Sequence, residues 1–209
     1  MNDRPLILVH TAHATALEHA GPGFGRLLSP KNYSRAADSG EWGIPWAADN
    51  GAFADFDPRT YRVMLQAIRG ALACLFVTAP DAVGDWERTR RMWDVWRPDL
   101  DGFPRAYVLQ DGQPMDDVPW RDLSAVFVGG TTEWKLGPDV VKLVRRAQWQ
   151  GAWVHMGRVN SRRRFDYAAQ LGVDSVDGSS FSQFRRRYLP DALRWHRSPL
   201  QQRLTLEDA

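Results

Sequence analysis

Short apolar runs recur along the chain: Leu6-Ile7-Leu8-Val9, Leu75-Phe76-Val77, Ala106-Tyr107-Val108-Leu109, Ala125-Val126-Phe127-Val128 and Trp153-Val154-His155-Met156. Three or four consecutive apolar residues without polar alternation mark strands covered on both faces, as in a parallel sheet. Between several of them, apolar residues fall at helical spacing over Asp57 to Ala73, Trp86 to Trp96, Pro138 to Gln150 and Arg162 to Leu171. Strand alternating with helix predicts an α/β fold. No composition shift, low-complexity linker or repeat divides the chain, so residues 1–209 read as one domain.

Polar and glycine residues cluster where the strands should end: Asp49-Asn50-Gly51-Ala52-Phe53, Pro80-Asp81, Gln110-Asp111-Gly112, Gly129-Gly130, Met156-Gly157 and Asp177-Gly178. Each is also ordinary turn chemistry. In a parallel barrel, however, all strand C-termini share one face, and active sites are built there. The expected architecture is a single-domain (β/α)8 TIM-like barrel. At 209 residues it must be compact or trimmed beside the ~250 typical of the fold.

Composition narrows the function only a little. The 27 Lys+Arg against 25 Asp+Glu give a formal charge of +2, too small to argue nucleic-acid binding from the total. Only Lys31, Lys135 and Lys142 are lysines. A guanidinium-rich surface grips phosphate bidentately, and it is also what a GC-rich genome encodes. Cys74 is the single cysteine and sits in an apolar run, so neither a disulfide framework nor a cysteine-rich zinc site is expected. The N-terminal apolar run is shorter than a signal peptide's core, and no stretch approaches the ~20 residues of a membrane span. The expectation is a soluble, cytoplasmic protein needing no metal or other cofactor and contacting no membrane.

Taken in order, the strand-end motifs over residues 45–183 resemble those of the tRNA-guanine transglycosylase superfamily. Asp49-Asn50-Gly51-Ala52-Phe53 looks like the family's Asp-Ser-Gly-Gly-aromatic motif, which implies Asp49 as general acid/base and Phe53 as a ring stacked on the base. Pro80-Asp81 and Leu109-Gln110-Asp111-Gly112 are similar to the segments that read the guanine edge, implying Asp81 and Gln110 as base readers. Val128-Gly129-Gly130 resembles the Leu-Gly-Gly turn whose amides meet the purine carbonyl. His155-Met156-Gly157 resembles the Leu-Met-Gly segment, which would set Met156 against the other face of the base. Gly172-Val173-Asp174-Ser175-Val176-Asp177 resembles the segment whose last aspartate is the nucleophile, which assigns Asp177.

The chemistry accounts for these residue types. Guanine leaves its sugar through an oxocarbenium-like transition state that a carboxylate beneath the ring can trap. A second carboxyl must manage the proton on the departing and incoming ring nitrogens. Guanine's edge pairs two donors with a carbonyl acceptor, so a carboxylate, a side-chain amide and backbone N–H groups complement it. Competing assignments exist: Asp174 for the nucleophile, Asp85 for the base reader, where an N-cap before Trp86 is the alternative, and His155 as a catalytic or packed residue. Glu133 is a further, weaker match for a contact with the incoming base.

The tRNA enzymes carry a cysteine-rich zinc subdomain after the nucleophile, whereas here 32 residues follow Asp177 and none is cysteine. The closer resemblance is to the small deazapurine DNA-modification transglycosylases, often phage-encoded, whose signature His155-Met156-Gly157-Arg158-Val159-Asn160 with Arg162-Arg163-Arg164 resembles. This implies DNA as partner, exchange of guanine for a 7-deazaguanine such as the 7-cyano base, and a bacterial host cytoplasm where the gene is a phage's. Arg158, Arg162, Arg163 and Arg164 on one side of Asp177, and Arg185, Arg186 and Arg187 with Arg194 and Arg197 on the other, are the candidate phosphate contacts, at a helix start near Ser161 among others. Solvated helix faces are the alternative. Flipping guanine from a duplex costs a few kcal/mol, and Trp42, Trp46 and Trp134 are candidates to fill the gap, or core residues. A tRNA substrate and a non-catalytic nucleic-acid-binding barrel remain as alternatives.

Overall fold

The computed structural model describes residues 4–52 and 56–198. Eight parallel strands pair in sequence order, and the last returns to the first to close a barrel. They are β1 (Leu6–Val9), β2 (Phe24–Leu28), β3 (Trp46–Ala48), β4 (Cys74–Thr78), β5 (Arg105–Leu109), β6 (Ala125–Val128), β7 (Trp153–Met156) and β8 (Ser175–Asp177). Among the described residues the helices are α1 (His13–His19), α2 (Ala36–Glu41), α3 (Pro58–Ile68), α4 (Trp86–Trp96), α5 (Thr132–Lys135), α6 (Pro138–Trp149), α7 (Arg162–Leu171), α8 (Ser179–Gln183) and α9 (Arg185–Arg197). The barrel is complete; its economy lies in strands of three to five residues.

Strand periodicity sorts the apolar runs into two layers. Leu8, Leu27, Ala47, Phe76, Ala106 and Ala125 form one buried cluster with Leu6, Leu75, Phe127 and Trp153 packed on it, which fills the barrel. Their alternates, among them Ile7, Val9, Val77, Val126, Val154 and Val176, join the larger cluster shared with the helices. His155 belongs inside: its ring lies 4.5 Å from Phe127 and 5.2 Å from Phe76. Its Nδ1 is 2.9 Å from Ser175 Oγ, and burial lowers its pKa to about 3. The histidine is a neutral, packed residue.

Local signals set several helix ends. Asp57 caps α3 by accepting from Arg59 N–H at 2.9 Å, with Pro58 preset for the first turn. This helix stops at Ile68, short of the expected Ala73, because Gly70 and Ala73 take positive φ. Asp85 accepts from Arg88 N–H at 2.8 Å and caps α4, so it is structural. Ser161 caps α7, and Gly172 ends it at φ 76°.

β2, like the three-residue strands β3 and β8, falls outside the apolar runs, in its case because Arg26 interrupts the pattern. All five residues are buried. The Arg26 guanidinium is fully buried and donates to the carbonyls of Thr11, Arg35, Asn32 and Ser34 and to Ser39 Oγ. That set of acceptors gives an otherwise costly buried charge its hydrogen bonds.

Candidate active site

A cavity of about 340 Å³ opens at the C-terminal ends of the strands and is lined by residues from most of them. Asp49 follows β3, Asp81 follows β4, Gln110 follows β5, Gly129 and Gly130 follow β6, Gly157 and Arg158 follow β7, and Asp177 ends β8. Phe127 forms part of its wall, above the ring of His155. Residues from distant parts of the sequence thus meet because they share one place in the strand–loop repeat.

Asp177 is 9% exposed. Its Oδ1 accepts the backbone N–H of Arg158 at 2.5 Å, and its own carbonyl accepts from Val159 N–H at 2.6 Å. Arg158 reaches this geometry in the left-handed region, at φ 60°. Burial pushes the Asp177 carboxyl above the usual range, while His10, the Arg158 N–H and Lys135 pull it back. Asp174 faces away and accepts from Val154 N–H at 2.7 Å, so of the two aspartates only Asp177 lines the cavity.

Asp49 is likewise raised, first by burial and, after the opposing effect of His10, by the negative charge of Asp177. His10 Nε2 lies 4.0 Å from Asp49 Oδ2. The two carboxyls feel each other across the cavity, which is the environment that divides paired acids into a proton holder and an anion.

Asp81 is the centre of a polar network. Asn50 Nδ2 donates to its Oδ1 at 2.8 Å and Gln110 Nε2 to its Oδ2 at 2.7 Å. Gln110 Oε1 in turn accepts from Gly84 N–H at 3.0 Å. Burial nonetheless raises the Asp81 pKa to about 6. The two expected base readers are therefore together, but Gln110 orients Asp81 and has both ends of its amide engaged. Asp111, between Gln110 and Gly112, accepts from Thr131 N–H and Oγ and ties two loops together.

Several expectations need correction. Met156 is 2% exposed and packs in the outer layer with the helix-facing residues, since it alternates with His155 on β7. It does not line the cavity; Gly157 does. A Cβ at Gly157 would stand 2.7 Å from the Phe127 ring and 3.7 Å from Asp177 Oδ1. The amides of Gly129 and Gly157 are spent on the sheet, donating to Leu109 and Val128 carbonyls. This leaves Gly130, at φ 70°, as the member of its pair able to offer an N–H. Phe53, the expected stacking ring, lies outside the described residues.

The arginines also divide. Arg162 Nε donates to Asp166, whose side chain is 1% exposed, at 2.7 Å, so Arg162 is committed to holding α7. The Arg158 guanidinium donates to the Gly130 carbonyl and bridges two loops. Arg163, Arg186 and Arg187 are exposed, with Arg164 and Arg185 half-buried, at the starts of α7 and α9. Arg194 and Arg197 are at the other end of α9, where His196 meets the carbonyl of Pro5 before β1, so they face away from the cavity. Trp46 is buried with its indole N–H on the Leu72 carbonyl, Trp134 packs on the core, and Trp42 is exposed. Glu133 is exposed in the first turn of α5.

Two titratable residues of the cavity lining escape the sequence reading. His10 directly follows the apolar run of β1, and the strand-end rule extended to that strand finds it. Lys135 ends α5, is 4% exposed, and donates through Nζ to the Gly157 carbonyl at 2.7 Å. Burial lowers its pKa to about 8. Nothing in its local sequence marks a buried lysine. Among the described residues no group of three or more His, Cys, Asp or Glu is placed to hold a metal ion, and no helix is long and apolar enough to cross a membrane. Comparisons with protein-family models and with curated proteins give no match.

Proposed function

We propose that the chain is a base-exchange glycosyltransferase that replaces guanine in DNA with a 7-deazaguanine. The observation that carries this reading is the meeting of Asp49, Asp81 and Asp177, from three strand ends, in one cavity. That cavity falls within the ~300–1,000 Å³ range of small-molecule sites. The resemblance of the strand-end motifs to the transglycosylases supports it.

In this reading Asp177 Oδ attacks C1′ of the flipped nucleotide, and the glycosidic bond breaks with its electron pair passing to the base nitrogen. Asp49, the proton holder, protonates the departing base. The product is an ester between Asp177 and the sugar. The incoming base then gives its ring N–H proton to Asp49, its nitrogen attacks C1′, and the ester bond returns its electrons to Asp177. The Arg158 N–H that binds Asp177 Oδ1 stabilises the carboxylate both before attack and when it leaves. Asp81 accepts from the N1–H and amino group of guanine. Arg163, Arg164 and Arg185 to Arg187 hold phosphates beside the extruded nucleotide.

The test is incorporation of labelled guanine, or of 7-cyano-7-deazaguanine, into DNA and into tRNA, with nucleosides identified by mass spectrometry. Label in DNA, without ATP or added metal, supports the reading. Label in tRNA alone moves the substrate to RNA, and label in neither rejects base exchange.

A further inference from the structure

The cavity contains a buried cation that the exchange mechanism does not use. Lys135 is the only lysine among its lining residues, and its hydrogen-bond partner among the described residues is a backbone carbonyl, Gly157 O, rather than a carboxylate. An ammonium carries three donors, so two protons remain to be satisfied by whatever occupies the cavity. A lysine this buried costs desolvation energy that one carbonyl does not return; its neighbour Arg158 adds like charge, which the Asp177 carboxyl across the cavity opposes without a direct hydrogen bond.

The cavity is polarised as a result. Asp81, oriented by Asn50 and Gln110, stands at the end of β4. Lys135 is bound to the loop after β7, three strands further round the ring. A purine of the guanine type matches this polarity: its N1–H and amino donors lie on one edge, and its O6 and N7 acceptors on another. Donors toward Asp81 bring the acceptor edge toward Lys135.

Resting on the base-exchange reading, we propose that Lys135 selects the incoming base by its 7-substituent, accepting a hydrogen-bond acceptor there and rejecting a cation. Guanine presents N7. A 7-cyano-7-deazaguanine replaces that acceptor with a nitrile, whereas a 7-aminomethyl-7-deazaguanine brings an ammonium against Lys135 and Arg158. Like charges in a site shielded from water repel strongly, so the aminomethyl base is the disfavoured one.

Two measurements test this separately from the parent reading. Calorimetric binding of guanine, the 7-cyano base and the 7-aminomethyl base to the unaltered protein needs no variant. The aminomethyl base should bind roughly tenfold or more weakly than the cyano base, the scale on which a like-charge contact discriminates. Competition between the two bases for exchange into DNA should show the same preference. In Lys135→Met the gap should close and in Lys135→Glu it should invert, with circular dichroism and thermal unfolding reporting that each variant keeps its fold. Equal binding of the two deazaguanines to the unaltered protein, or an unchanged preference in Lys135→Glu, overturns the role of Lys135 while leaving base exchange standing. Failure of all three bases to bind overturns base exchange and this inference together.

Discussion

The backbone N–H of Arg158 donates to the Asp177 carboxylate at 2.5 Å, and it does so from a left-handed backbone conformation unfavourable for an arginine. The loop after β7 is thus shaped around the carboxylate that ends β8. A side chain held this way is preorganised: its lone pairs are aimed before a substrate arrives, which is worth more than a flexible carboxylate of the same charge.

Gly157 is the adjoining constraint. Its missing Cβ would meet the Phe127 ring at 2.7 Å, so Gly157→Ala must displace the cavity wall or the loop that carries Arg158. Overpacking of this kind costs ~1–3 kcal/mol. A lowered melting temperature together with at least a ~10-fold loss of kcat/KM is expected, because a displacement of ~1 Å can cost that much or more.

His10 opposes the effect of burial on both carboxyls assigned to the proposed exchange, Asp49 and Asp177. Replacing it with asparagine removes the electrostatic influence that favours their ionised forms, so both pKa values should rise. Asp177 must be an anion to attack, and the acid limb of the kcat/KM profile should move to higher pH in His10→Asn. An unmoved limb would separate His10 from the chemistry.

Asp81 titrates at about 6 in the folded chain, above the ~3.9 of an unfolded aspartate. In that window the fold binds more protons than the unfolded chain. The contribution of Asp81 therefore favours folding at low pH and is lost as pH rises through about 6. Guanine binding has the opposite dependence, because only the carboxylate accepts from N1–H, and affinity should fall below about pH 6. Asn50→Ala removes a donor to the charged form, so carbon-detected NMR should find the Asp81 titration moved further up.

The arginines predict two different phenotypes. Neutralising Arg185, Arg186 and Arg187 together should weaken DNA binding and flatten its salt dependence, by a log–log slope of ~0.7–0.9 for each phosphate that the variant no longer neutralises. Arg162→Ala should leave the salt slope alone and lower stability by roughly 1–3 kcal/mol, since it removes the 2.7 Å partner of the buried Asp166 and leaves it only the longer ion pair with Arg4 at 3.8 Å. Filter binding across a salt series, beside thermal unfolding, distinguishes the two.

The barrel and most of its polar rim are legible in sequence because strand position is encoded twice, by an apolar run and by the polar residue that follows it. Asp81 after β4 and His10 after β1 fall on that rule, whereas Asp49 after β3 and Asp177 at the end of β8 are marked by their polar motifs alone, because those strands are only three residues long. Met156 fails because alternation along β7 turns it outward once His155 faces in, and motif likeness carries no information about facing. β2 is hidden because Arg26 finds its five acceptors outside its own strand, four loop carbonyls and the Ser39 hydroxyl of α2. Lys135 is hidden for a related reason: its burial is created by the loop after β7, not by its own helix. Arg162 looks like its neighbours in a run of three, and only the fold shows that its partner, four residues on, is buried.

Trapping of the proposed covalent intermediate tests the division of labour assigned to Asp177 and Asp49 most directly. Labelled DNA is incubated with each variant and resolved on a denaturing gel. Asp177→Asn should abolish both exchange and the protein–DNA adduct, because an amide cannot supply the anionic nucleophile. Asp49→Asn should slow exchange by the ~10²–10⁴-fold typical of lost proton transfer while leaving an adduct that can still be trapped. Adduct persisting in Asp177→Asn and vanishing in Asp49→Asn would exchange the two roles, and undiminished exchange in both variants would contradict the transglycosylase account.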